Sequence, residues 1–376
     1  MNPRPTARRA QRGLTLIELM VAITIMLIVM AALLTLFLNV SGSQREMERV
    51  NRQIETGRLS IFVLENEISH AGFWENYMPE FDDLTVSAAP THVPTGNVPD
   101  PCLAYSAANW TEDYKRQLLD LPVQVYSSVP ATCTDLLTHH KTGTDILVVR
   151  HAETCLPGTP HCDADVAGAM YFQSSLCGTQ KPSSFDLSTG AFDQMFLKDC
   201  TSASPKRKLV ADIYYVRDYA EAENDGIPTL ARSRFDLVGG TLAQQPPTAL
   251  VEGVEGFRVE LGLDTLSKTG AAVNYTQAIA WADPANKSTP SNRGDGSPDG
   301  AFVHCGATCT ADQLVNAVAV KLYVLARATT ISPGHTDTRR YQMGAATLAP
   351  FNDHYKRHAF ATTVRLTNVT GRRETP

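Results

Sequence analysis

The chain has 376 residues, of which 43% are hydrophobic and 19% charged, and its formal net charge is −6. That balance excludes a globally basic nucleic-acid binder, and the length allows one large domain or two lobes. Eight cysteines are an even count, as expected of a chain exported to a compartment that permits disulfides.

Residues 1–12 hold Arg4, Arg8, Arg9 and Arg12 and no acid, and from Leu19 to Val40 no side chain is charged. Glu18 alone interrupts the apolar run. About 22 helical residues cover about 33 Å, enough for a bilayer core. The arginines place the N-terminus in the cytoplasm and the bulk of the chain outside. A cleaved secretory signal needs a shorter apolar core and a small-residue site, which Asn39-Val40-Ser41-Gly42-Ser43 matches only weakly. A plain signal anchor explains length and orientation but not Glu18, because a carboxylate at the centre of a membrane helix costs about 2.5–3.5 kcal/mol. Glu18 therefore either reaches the headgroup layer or has a partner in an assembled state.

The helix is expected to continue past the membrane. Met47, Val50, Ile54, Gly57, Ile61, Leu64, Ile68 and Ala71 recur at helical spacing among Arg and Glu residues, which predicts an amphipathic helix that packs on the protein's own globular part. Gly72 is the expected stop, and Gly42 or Gly57 is a place for a bend or a tolerated small residue. The expected organisation is a leader at 1–13, a membrane helix at 14–40, its amphipathic continuation at 41–72 and an exported β-rich domain at 73–376.

Prolines punctuate residues 73–143, so only a short helix over Thr111–Leu121 is expected there. Strands are expected at Asp145–Arg150, Lys208–Val216, Thr229–Phe235, Gly256–Leu263, Ala317–Ala326 and His358–Leu366. A helix followed by many strands predicts an α+β fold with a large, loop-rich, antiparallel β domain.

The N-terminal residues resemble the class III signal of type IV prepilins: a basic leader, a Gly, an apolar residue, Thr-Leu-Ile-Glu and a long apolar helix. Gly13, Thr15, Leu16, Ile17 and Glu18 match position by position, and Leu14 stands where the family usually has Phe or Met. The resemblance implies a type IV pilin-like fold, cleavage between Gly13 and Leu14 by prepilin peptidase, N-methylation of Leu14, and filament assembly in which Thr15 and Glu18 take part. Four further strings resemble the PilW family of minor pilins: ISHAGFW from Ile68, YYVRDYAEAENDGIPTLAR from Tyr214, LVEGVEGFRVELGLDT from Leu250 and RHAFATTVRLTN from Arg357. Residues 75–140 and 264–315 carry no such likeness. The family implies a low-abundance pilin that primes the type IV pilus or sits in its tip complex. Its companions would be other minor pilins, the major pilin and a large tip adhesin of the PilY1 kind. It would start in the inner membrane with its C-terminal domain in the periplasm, and end in the filament at the cell surface. The J-type minor pseudopilin of type II secretion shares this architecture and is the alternative.

Cys102, Cys133, Cys155, Cys162, Cys177, Cys200, Cys305 and Cys309 allow on the order of a hundred connectivities. Pairing of sequence neighbours is the simplest, with Cys305–Cys309 its clearest case. His151, Cys155, His161 and Cys162 offer four metal donors, but their spacing matches no standard zinc pattern. Many PilW-like sequences have an Asp-rich calcium loop where this chain reads Ser291 to Gly300. Asp295 and Asp299 fit that loop, but Ser291 and Arg293 stand at carboxylate positions, so an exposed turn is preferred over a calcium site and no cofactor is expected.

Nucleotide, serine-hydrolase and zinc-protease motifs are missing, so no enzyme is expected, and a membrane-anchored hydrolase with an unrecognised site ranks last. His354 and His358 read as solvent-exposed. A tip pilin that binds DNA or another ligand is a further alternative, cued by Arg339, Arg340, Lys356, Arg357, Arg365, Arg372 and Arg373. Asp337, Asp353 and Glu374 dilute that run and strand alternation would scatter it, so no nucleic-acid partner is expected.

Overall fold

The computed structural model describes residues 13, 15–96, 98–181, 184–287 and 289–374; the leader residues 1–12 and Leu14 lie outside them. The chain divides into two compact units at Asn51/Arg52, and helix α1 (Leu16–His70) runs through both. In the first unit the apolar side chains of α1 are exposed, from Leu16 at 78% to Val40 at 48%. Met47, expected on a packed stripe, is 62% exposed.

In the second unit the face of α1 that packs is Gln53, Gly57, Ser60, Leu64 and Ile68. Gly57, Leu64 and Ile68 belong to the expected stripe, whereas Ile54 and Ile61 lie half-buried at its edge. The contact has shifted toward small and polar residues because the helix backbone lies close to a sheet. A Cβ at Gly57 would fall inside the ring of Phe360, and the Gln53 amide donates to the Ala326 carbonyl at 3.0 Å. Neither Gly42 nor Gly57 interrupts the helix. Gly57 is there for close approach, not for a bend. The helix ends before Gly72, which adopts φ +73°, and the Asn368 side-chain amide donates to the carbonyls of Ser69, His70 and Ala71 at 3.2–3.3 Å. The His70 carbonyl also accepts the Phe73 amide at 2.9 Å, and the rest of the cap comes from the far end of the chain.

The first sheet contains β1 (Val123–Tyr126), β2 (Ile146–Ala152), β3 (Tyr171–Ser174), β4 (Phe185–Ser188), β5 (Arg207–Arg217), β6 (Thr229–Val238), β7 (Thr241–Gln244) and β8 (Thr248–Glu252). All its pairings are antiparallel. β5 is its axis: β2 lies along one side, while β3 and β6 share the other at opposite ends. The last nine residues of β5 are buried, as expected of a strand covered on both faces.

The second sheet has the order β13 (Arg357–Arg365), β10 (Ala317–Arg327), β9 (Val254–Leu263), again antiparallel. A small hairpin, β11 (Tyr341–Met343) and β12 (Ala346–Leu348), adjoins it. Three short helices complete the set: α2 (Glu112–Asp120), α3 (Ala311–Val315) and α4 (Thr367–Arg373). Thr111 caps α2 through its hydroxyl, and Thr310 with Gln313 forms a reciprocal capping box on α3.

One apolar cluster joins Leu64 and Ile68 of α1 to Leu147, Val149 and Tyr214 of the first sheet and to Phe257, Val259, Leu322 and Val324 of the second. Burying each of the large aliphatic side chains contributes about 1.5–3 kcal/mol. Four disulfides staple the long loops: Cys102–Cys133, Cys155–Cys162, Cys177–Cys200 and Cys305–Cys309. Each bond joins sequence neighbours, and the two long ones close loops in regions where the sequence shows little periodicity.

Asp120 is buried beside Tyr77, whose hydroxyl donates to it at 3.0 Å. Burial pushes its pKa up to about 7, against the hydrogen bond from Tyr77 and the charges of Arg116 and Arg372. Between the ordinary Asp value of about 3.9 and this raised value the folded chain holds a proton that the unfolded chain has lost. Stability from this group is therefore greatest at acid pH and falls as pH rises to about 7.

Two outcomes follow for the fold. Gly57→Ala should destabilise the second unit by about 1–3 kcal/mol, and Phe360→Ala in the same chain should recover part of the loss; additive losses in denaturant melts would refute the contact. Asp120→Asn should match the parent near pH 4 and exceed it above pH 7 by on the order of 2–4 kcal/mol. Parallel stability–pH curves for the two proteins would refute that assignment.

Candidate assembly site

The residues singled out at the N-terminus converge on the first turn of α1. The Thr15 amide and hydroxyl both donate to one oxygen of the Glu18 carboxylate, at 3.0 and 2.9 Å, and the Glu18 amide donates back to the Thr15 hydroxyl at 3.3 Å. This is the reciprocal capping box expected of Thr-x-x-Glu, with Thr15 at the cap and Glu18 three residues on. It gives two of the orphan amides at the helix start a partner. Glu18 is thus not a bare carboxylate even in the isolated chain. Among the described residues no hydrogen bond reaches the second oxygen, and both residues are exposed, as is Gly13. Behind them Leu16, Ile17, Leu19, Met20 and their successors are at least 48% exposed along the run to Val40, and the helix is long and apolar enough to cross a membrane.

The calcium candidates are engaged in a different way. Asp299 accepts the amides of Thr265 and Leu266 at 2.7 Å each, and Asp295 accepts that of Ser297. The loop folds over buried Asp264, which receives the amides of Asp295 and Gly296 at 3.1 and 2.9 Å. A Cβ at Gly294 would strike that carboxylate, which explains the glycine. Arg293 is buried and donates to the carbonyls of Asn274 and Gln277 at 2.9 and 2.8 Å. A cation thus occupies the interior of the loop, and the backbone carbonyls near it are already used. Among the described residues no three His, Cys, Asp or Glu side chains are gathered to hold a metal. Of the four donors considered around His151, Cys155 and Cys162 are tied to each other.

The C-terminal cations do not form a patch. Arg357 is wholly buried against Glu255, Asp337 and Asp353. Arg373 is buried between Asp82 at 3.0 Å and Asp264 at 3.4 Å, and Arg372 lies beside Asp82. Arg339 pairs with Asp337 and Arg365 with Glu374. The acids that dilute this run in the sequence are its partners in the structure. His354 and His358 are exposed, and the His354 Nδ1 donates to the His335 carbonyl at 2.6 Å.

A family profile described as "Type IV Pilus-assembly protein W" matches residues 213–368, and one described as "Prokaryotic N-terminal methylation motif" matches residues 8–34. The chain carries a PilW-family domain behind a prepilin-type N-terminus. The PilW match runs from β5 to the start of α4, so it contains the second sheet, Gly253 to Asp264 and the capping residue Asn368. A type IV-like pilin from Thermus thermophilus is a similar solved structure, at 12% identity and a TM-score of 0.33, with 84% of this chain and 96% of that one covered. No curated protein matches the sequence. Residues 213–368 are therefore similar to a type IV pilus-assembly protein, and residues 8–34 to the prokaryotic N-terminal methylation motif.

The capping role of Thr15 was legible as Thr-x-x-Glu, but the sequence reading gave Glu18 only outside partners. The structure also brings together Glu67, His70 and His151, which sequence reasoning did not connect. The Glu-x-x-His spacing on α1 was the available signal.

For the loop at Ser291–Gly300 the expected outcome is calcium indifference. Adding millimolar Ca²⁺ or a chelator should move the melting temperature of the full chain by less than about 1 °C, since a ligand that binds only the folded state must raise it. A calcium-dependent rise abolished by Asp295→Asn would overturn this reading.

Proposed function

We propose that this chain is a minor pilin that acts in initiation and in the tip complex of a type IV pilus. Prepilin peptidase cuts between Gly13 and Leu14, Leu14 is N-methylated, and α1 anchors the product in the inner membrane with the C-terminal domain in the periplasm. The protein then enters the filament together with other minor pilins and the major pilin, below a tip adhesin of the PilY1 kind. The observation that carries this reading is the start of α1: a turn capped by Thr15 and Glu18, followed by apolar side chains exposed on every side. Such a surface is not left in water; it needs lipid or neighbouring helices.

The new α-amine that cleavage creates at Leu14 lies four residues before Glu18. In a filament of parallel helices the free oxygen of Glu18 in one subunit meets the amine of its neighbour, and each charge offsets the other's desolvation. Methylation keeps the charge on the amine.

The test separates processing, capping and pairing. N-terminal sequencing of the mature protein should begin at Leu14, and Gly13→Trp should block processing. Glu18→Ala removes both the cap and the charge, whereas Glu18→Gln keeps a capping side chain and loses the charge. Both variants should be processed, yet vanish from sheared pili and from cross-links to other minor pilins. If Glu18→Gln assembles like the parent, the carboxylate serves only as a cap and the pairing is wrong. Cross-links exclusively to secretion pseudopilins would instead favour the J-type alternative.

A further inference from the structure

β13 is an edge strand of the second sheet. It is nine residues long and pairs with β10 in an unbroken register. The Leu366 amide donates to the Val318 carbonyl and the Ala328 amide to the Lys356 carbonyl, each at 2.9 Å. Even-numbered residues of β13 therefore turn their backbone groups toward β10, and in an antiparallel ladder the alternate residues turn theirs outward. Those residues are Arg357, Ala359, Ala361, Thr363 and Arg365. The Arg357 carbonyl accepts from Arg339. Among the described residues no hydrogen bond reaches the backbone amides and carbonyls of Ala359, Ala361, Thr363 and Arg365. Ala361, Thr363 and Arg365 are exposed, and Ala359 is half-buried.

The opposite edge of the same sheet is covered. On β9 the Phe257 carbonyl accepts the Asp145 amide, Leu261 exchanges two backbone bonds with Val303, and the Leu263 carbonyl accepts the Asp299 amide, all at 2.7–2.8 Å. The Val259 amide donates to the Asp145 carboxylate at 2.8 Å. β13 has no such cover, and it lacks the devices that keep an edge from pairing: from His358 to Val364 there is no Lys, Arg, Asp, Glu or Pro, and no bulge breaks its ladder. An apolar flank of α1 lies over this edge. Thr56 and Glu67 face Gly253 and His151, toward β9 and the first sheet. Ile54 and Ile61 project from the other side of the packed stripe, beyond Phe360 and toward the free edge of β13. Both are only half-buried, and Phe62 next to them is 68% exposed.

We propose that the free edge of β13 receives an extended segment of another pilus subunit, which joins the second sheet as a fourth strand beneath the flank of α1. The proposal rests on the reading that this chain assembles with other pilins, which brings neighbouring subunits alongside α1. A row of outward amides and carbonyls is matched by extended backbone, and pockets for alternate side chains add the specificity. The side chains of the added strand that point toward α1 meet Ile54 and Ile61 and are apolar; those beside Ala361 and Thr363 on the other face are small or polar. A second copy of this chain fits less well. α1 and β13 run in the same direction, since Gln53 reaches Ala326, the partner of His358, Gly57 meets Phe360, and Asn368 reaches Ser69 to Ala71. Antiparallel pairing of two such edges would set the two helices antiparallel, whereas subunits anchored through Leu16–Val40 in one membrane enter it with parallel helices.

The test uses the full chain expressed in place of the parent in its own cells. Ala361→Pro and Thr363→Pro each remove an outward amide and set a ring on the edge without breaking the ladder to β10. Both variants should be processed and melt like the parent, yet co-purify with at least about tenfold less of the partner pilin. Ala361→Lys, which puts a charge on the edge, decides the matter if the proline variants fail to fold. A photo-reactive residue at position 361 should cross-link to one extended segment of another pilin, identified by peptide mass spectrometry. The amides of Ala361 and Thr363 should exchange rapidly in the isolated chain and slowly in the assembled complex. Parent-like recovery of the partner by folded Ala361→Pro or Ala361→Lys would overturn the strand addition and leave the minor-pilin reading intact. Cross-links from position 361 only to a second copy of this chain would overturn the choice of partner. A parent that recovers no pilin at all would overturn both readings.

Discussion

The close seating of α1 on the second sheet is the constraint on which the second unit depends. Helix and sheet approach closely only where the helix has no bulky side chain, and Gly57 and Ser60 provide that gap. Phe360 of β13 fills it, and Gln53 reaches the carbonyl of Ala326 on β10. Below this contact Leu64 and Ile68 enter the apolar cluster shared by both sheets. The same helix must satisfy two environments, since its first part carries apolar residues all round and its last part has one narrow packing face.

Buried charge fixes the last strand and the last helix of the second unit. Arg357 at the start of β13 and Arg373 at the end of α4 are both removed from water, and each meets more than one carboxylate. Loss of either partner would leave a buried ion uncompensated, which costs far more than an exposed pair contributes. Such networks are therefore sensitive to substitution while adding little net stability. They place α4 so that Asn368 reaches the last carbonyls of α1. The start and the end of the second unit's globular part are in this way held to each other.

The loops that lack sequence periodicity are held by covalent and polar links. Cys102–Cys133 and Cys177–Cys200 close loops of 31 and 23 residues, a range in which a cross-link removes about 3 kcal/mol of unfolded-state entropy in the chain-entropy account. The loop over Asp264 uses backbone amides and a glycine to surround one carboxylate. A sequence pattern that resembles a cation loop thus becomes an internal anion cradle once Arg293 turns inward.

The sequence by itself determined what depends on local order. An uncharged run of apolar residues has one physical outcome, a helix that leaves water, and Thr15 with Glu18 marks its start. The six strands with alternating or β-branched runs also lie where their residues placed them, within a few positions, and so does α2 behind Thr111. The short strands β1, β3, β4, β7, β8, β11 and β12 are not legible, because three to five residues give too little periodicity to separate a strand from a loop. The packing face of α1 was only half legible: apolar residues signal burial, whereas close backbone approach selects Gly and Ser, which signal nothing by themselves. Tertiary structure alone decided the fate of the C-terminal cations, since Glu255 and Asp337 lie 102 and 20 residues from Arg357 in the chain. It also decided the meeting of Glu67 and His70 with His151, on elements whose adjacency no local rule encodes.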